Sequence, residues 1–153
     1  PGNEVRLKGA YIIKCEEVIK DSAGAVTELH CTYDPATKSG GDSSGKKVRG
    51  VIHWVSVSHG LPAVVRLYEN LFLAENPDNA EEGQDFTDNI NPDSLLVLEN
   101  CVVEPALAEC DRDSRFQFMR KGYFFTDPKD SSKNKLVFNR IVGLRDSWAK
   151  MQK

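Results

Sequence analysis

The strongest constraint on this chain is a hydrophobic rhythm with a period of two. In VRLKGAYIIKCEEVIKD, Val5, Leu7, Tyr11 and Ile13 alternate with Arg6, Lys8, Ile12 and Lys14, and Gly9 interrupts the run as a bulge or bend would. Successive side chains of a strand point to opposite faces, so this pattern buries one face and wets the other. Asp21-Ser22-Ala23-Gly24 then supplies hairpin-turn residues before AVTELHCTYD, which gives two antiparallel strands. RGVIHWVSV, AVVRLYENLF, LLVLENCVVEPALAE, FQFMRKGYFFTD and Leu136 to Val142 continue the strand pattern, with Pro105 at an edge or turn. Asp146 to Gln152 reads as one or two turns of helix. No long amphipathic helix occurs, so the expected class is all-β, a barrel or Greek-key assembly with few short helices.

Between these strands lie two polar connections. Pro35 to Lys47 is Gly/Ser-rich with no apolar anchor and is expected to be mobile, and Ala74 to Asp93 is an acidic loop or linker. Charge is segregated along the chain. The net charge is −3, yet residues 69–113 carry thirteen acids against the single base Arg112, and residues 114–153 carry ten bases against three acids. A cationic face can therefore exist on an acidic protein.

Several chemistries are excluded. Cys15, Cys31, Cys101 and Cys110 form no C-x-x-C pair and His30, His53 and His59 show no ligand spacing, so mostly buried free thiols and no metal site are expected. No phosphate-binding Gly loop or nucleophile elbow is present, and the acidic residues of the middle segment have no apolar pocket to raise a pKa. No catalytic residue is expected. No apolar run approaches the ~20 residues of a membrane span, and PGNEVRLKG lacks a signal-peptide pattern, which reads as a soluble, cytoplasmic chain. Lys121-Gly122-Tyr123 echoes an RNP1 motif, but Phe124 stands where Gly or Ala belongs and the two helices of that fold are lacking.

What survives is a set of polar readers on strands. In FQFMRKGYF, period two sends Phe116 and Phe118 to one side and Gln117, Met119 and Lys121 to the other, so the rings are assigned to the core and Gln117 to the surface. An amide offers both a donor and an acceptor, Arg offers a planar fork, and nearby rings can stack an unpaired base. Arg6 and Lys8 in the first strand and Gln117 and Arg120 in this stretch are the candidate nucleic-acid-binding residues.

Read together, EVRLKGAYIIKCEEV, GVIHWVSVSHGLPAVVRLYENLF, INPDSL, FQFMRKGYFFTD and VFNRIVGLRDSWAK resemble the C-terminal anticodon-binding region of the glutaminyl-tRNA synthetases, over residues 4–150. The resemblance implies a pair of six-stranded antiparallel β-barrels, with residues 1–60 in one, 133–153 returning to it, and 61–132 in the second. It implies tRNA(Gln) as partner through its anticodon loop, with an upstream catalytic domain that uses ATP and Mg²⁺. It implies no cofactor in this stretch and neither a membrane nor DNA as partner. Carried over by position, Arg6 and Lys8 match basic residues that contact the first anticodon base, the second commonly Arg. Gln117 matches the reader of the central uracil and Arg120 its basic neighbour, with Met119 where the family often has Glu. A eukaryotic-type glutamyl-tRNA synthetase domain and a stand-alone RNA-binding barrel are the alternatives.

Overall fold

The computed structural model describes residues 1–77, 85–111 and 113–144. Among the described residues, nine strands form two sheets in two compact units that divide between Trp54 and Val55. The class is all-β: the helical residues among those described are short 3-10 turns at Pro35–Thr37, Phe86–Asn89 and Pro105–Glu109. The helix expected at 146–152 lies outside the described residues.

The first unit contains β1 (Glu4–Leu7), β2 (Ile12–Lys20), β3 (Val26–Tyr33) and β4 (Val51–Ile52), in the order β3-β2-β1-β4. Gly9 does more than bend a strand. At φ 70° it takes the left-handed conformation that glycine accepts without a Cβ penalty, and the chain reverses, with Leu7 N–H donating to Tyr11 C=O at 2.9 Å. One interrupted run is thus two antiparallel strands. The β2–β3 turn follows its sequence signal: Asp21 Oδ1 accepts from the N–H groups of Ala23 and Ala25, both at 2.9 Å, and Gly24 has φ 82°. RGVIHWVSV contributes only the short β4, which runs parallel to β1. Trp54 beyond it donates its indole N–H to Lys8 C=O at 3.0 Å.

The Gly/Ser loop is anchored after all, by a hydroxyl. Asp34 caps the 3-10 turn at Pro35–Thr37, which brings Thr37 to 0% exposure, where its Oγ1 accepts the Ile12 N–H at 2.8 Å and donates to Asp34 C=O at 2.6 Å. Ser39 then bonds Ala10 C=O through both its N–H and its hydroxyl. The segment folds back over the β1–β2 hairpin because it satisfies backbone groups there.

The second unit contains β5 (Leu61–Tyr68), β6 (Leu95–Val103), β7 (Arg115–Phe118), β8 (Gly122–Thr126) and β9 (Leu136–Val142), in the order β6-β5-β9-β8-β7. Its core is Ala63, Val65, Val103, Phe124, Leu136 and Phe138, with Phe116 and Phe118 packed against it. The strand at 136–142 belongs here and not with residues 1–60, a correction with a plain cause. Leu136, Val137, Phe138 and Asn139 are all buried, so both faces need cover, and β9 obtains it centrally, parallel to β5 and antiparallel to β8.

The β8–β9 connection is tied by one carboxylate. Asp127 Oδ1 accepts the N–H groups of Lys129 and Asp130, while Oδ2 accepts Asn139 Nδ2 at 2.7 Å and Arg66 Nη1 at 3.2 Å. These bonds, led by the Asp130 N–H, hold its pKa below the ordinary Asp value against the opposing effect of burial.

Two further expectations need correction. The described strands make open sheets of four and five, each with one parallel pairing, and not closed six-stranded antiparallel barrels. The thiols are free but not mostly buried: Cys31 is exposed and the other three half-buried, because β3 and β6 are largely exposed and β2 mostly half-buried.

Candidate nucleic-acid interface

The β7–β8 hairpin sorts FQFMRKGYF by face, as alternation requires. Phe118 stacks on Phe124 with ring centres 4.5 Å apart and meets Phe138 edge-on at 5.2 Å, while Phe116 meets Phe138 edge-on at 6.0 Å. These ring contacts make the hairpin rigid from beneath. Gln117 is exposed on the opposite face of β7, the edge strand of its sheet.

The turn at the hairpin's tip is unusual. Lys121 N–H closes it onto Phe118 C=O at 2.9 Å, and its third residue, Arg120, has φ 61°, the only positive φ outside glycine among the described residues. That position normally takes Gly or Asn, and an L-residue there costs about 1–2 kcal/mol. The next strand opens under a separate constraint: at Gly122, paired with Phe118, a Cβ would stand 2.5 Å from Val142 C=O. The tip thus holds Arg120 and Lys121 exposed beside Gln117, and Met119 half-buried between them.

The hairpin also holds one ring out to solvent. Tyr123 lies directly opposite Gln117 in the β7–β8 register and is 45% exposed, whereas Phe116, Phe118 and Phe124 pack inward. Continuing the alternation across the turn would have found it.

In the first unit, Arg6 is already occupied. Its Nη1 donates to Thr37 C=O at 2.7 Å and to Ser39 Oγ at 3.5 Å, and its Nη2 donates to Asp42 Oδ2, leaving the side chain 19% exposed. Asp42 is itself fixed by the Ser44 hydroxyl and N–H, at 2.6 and 2.9 Å, and these bonds followed by Arg6 hold its pKa low. Lys8, exposed just past β1, shares the first unit with Arg6; Gln117 and Arg120 share the second. Asp42 escaped the sequence reading because it meets Arg6 across 36 residues of chain.

Nothing else among the described residues competes as a site. No cluster of three His, Cys, Asp or Glu is placed to hold a metal. No described helix is long and apolar enough to cross a membrane.

The sequence comparisons point the same way. Residues 51–127 match the family described as tRNA synthetases class I (E and Q), anti-codon binding domain, and residues 1–34 match a second family of the same description. The glutamine–tRNA ligase of Ectopseudomonas mendocina (strain ymp) is 55% identical over 148 residues, 97% of this chain. Those of Vibrio vulnificus (strain YJ016) and Nitrobacter winogradskyi are 54% and 52% identical over 99% of it. The chain spans 26% of the length of each of these relatives.

Proposed function

We propose that this chain, which belongs to the anticodon-binding domains of the class I tRNA synthetases (E and Q), reads the anticodon loop of tRNA(Gln) for a glutamine–tRNA ligase. The observation that carries the choice of glutamine is the 55% identity, over 97% of the chain, to a protein named glutamine–tRNA ligase. The ligation itself, with ATP and Mg²⁺, falls to a catalytic domain upstream in a cytoplasmic full-length enzyme. The described residues carry no cluster of three His, Cys, Asp or Glu placed to hold a metal ion, and no step of recognition is routed through either group.

Recognition follows from the donors and acceptors on view. Uracil presents an N3–H donor flanked by two carbonyl acceptors, and the Gln117 amide presents the complementary acceptor and donor from an exposed strand position. Arg120, held at the tip by the left-handed turn, supplies positive charge to the neighbouring phosphate or base edge. Arg6 and Lys8 supply it to the first anticodon base, and Arg6 must exchange its Asp42 contact to do so.

The test is binding of anticodon stem-loops that differ one base at a time. CUG and UUG loops are expected to bind tightest. A UUC loop bound as tightly as UUG would overturn the choice of glutamine over glutamate, and equal binding of every loop would overturn anticodon reading itself.

A further inference from the structure

The exposed face of the hairpin has a row of side chains that the reading above does not use. Tyr123 pairs with Gln117 on one side and with Val142 of β9 on the other. Directly opposed residues of antiparallel strands project to the same face, about 4.5–5.5 Å apart. Gln117 and Tyr123 therefore share a face, and Val142, which pairs with Tyr123 beside a register shift in the β8–β9 ladder, borders them, with Tyr123 45% and Val142 53% exposed. Three of the four rings in this stretch are in the core, and the fourth is held out beside the amide.

We infer that Tyr123 is the stacking platform for the base whose edge Gln117 reads, with Val142 extending the apolar floor. The inference rests on the anticodon-reading function proposed above and adds a residue to it. The geometry suits an unpaired base: a flat ring lies one strand away from a donor–acceptor pair, so a base lying on the ring presents its edge to the amide. Charge selects the occupant. Arg115, on the same face two residues before Gln117, and Arg120 and Lys121 at the tip surround the row with exposed cations, which favours an anionic strand carrying the base over an apolar peptide. Shape favours it as well, since the face is an open sheet surface whose outer strand, among the described strands, is β7, and a base can enter from the side.

The experiment uses the complete protein and three substitutions, Tyr123→Phe, Tyr123→Leu and Tyr123→Ala. Each is measured against an anticodon stem-loop with uracil at the central position and against the same loop made abasic there. Tyr123→Phe keeps the ring and is expected to bind the intact loop like the wild type. Tyr123→Leu keeps apolar bulk without the π-face, and with Tyr123→Ala is expected to weaken binding roughly 5- to 100-fold. On the abasic loop, wild type and variants should converge. Wild-type affinity in Tyr123→Leu and Tyr123→Ala overturns the platform, and so does an equal loss on intact and abasic loops, which marks a purely structural ring. A wild-type protein that ignores the central base, with Gln117→Ala equally indifferent, overturns the anticodon reading and the platform with it. A selective wild type with an unaffected Tyr123→Leu removes the platform alone.

Discussion

Arg6 in the first unit and Gln117 in the second carry the same kind of sequence signal, a polar side chain alternating with apolar ones on a strand, yet they stand in opposite states. Gln117 is open on an edge strand over a floor of packed phenylalanines. Arg6 already donates to Thr37, Ser39 and Asp42 and is one-fifth exposed. Polarity on a strand therefore tells which residues reach the surface and leaves undecided which are available there. One hairpin holds its amide open to solvent. Under the proposed function Arg6 trades a protein partner for an RNA one, so each RNA contact there gains only the difference between the two.

Phe118→Ala removes the ring between Phe124 and Phe138, and is expected to destabilise the second unit by about 3–5 kcal/mol. Thermal or denaturant unfolding checks it. An unchanged midpoint would deny that the hairpin is rigid.

Gln117→Ala leaves that floor intact. It should cost about 1–3 kcal/mol in anticodon-loop affinity, concentrated at the central base, with the unfolding midpoint unmoved. Titration calorimetry against loops varied at that base separates this from a general loss.

Asp42→Asn acts on the occupied side. Asp42 lies at the surface, where an ion pair adds little to stability, so the unfolding midpoint should hardly change. RNA affinity should rise modestly, and the slope of log affinity against log salt should steepen by up to about one as Arg6 becomes available to a phosphate. Weaker binding in this variant would mean that Asp42 positions Arg6 for RNA and does not compete with it.

The smallest effect concerns acid. Asp127 has a folded pKa below its ordinary value of 3.8, so its contribution to stability is present above that value and is lost as pH falls through the depressed one. Asp127→Asn should flatten the stability profile below about pH 4. A profile unchanged from the wild type would remove Asp127 from the acid response.

How much of this was legible in the sequence depends on the range of the contact. Alternation placed Phe116 and Phe118 in the core and Gln117 outside, and Asp21 to Gly24 made the predicted turn, because these depend on neighbouring residues alone. The place of β9 was not legible, since a run buried on both faces says that it needs two neighbours without naming them. The anchoring of the Gly/Ser loop through Thr37 was hidden for a related reason. Its partner Ile12 lies 25 residues away, and a buried hydroxyl has no hydrophobic signature. Residue chemistry on strands makes Gln117 and Arg120 candidates and resemblance assigns them the central base, while the exposure of Tyr123, in the same nine residues, follows from continuing the alternation across the turn.

Affinities of the wild type and of Gln117→Ala for four anticodon loops identical except at the middle base show whether the exposed Gln117 amide reads that base. The wild type is expected to prefer uracil, and the variant to lose the preference while still binding all four. A wild type without preference, or a variant that keeps it, would overturn the reading of the middle base by Gln117.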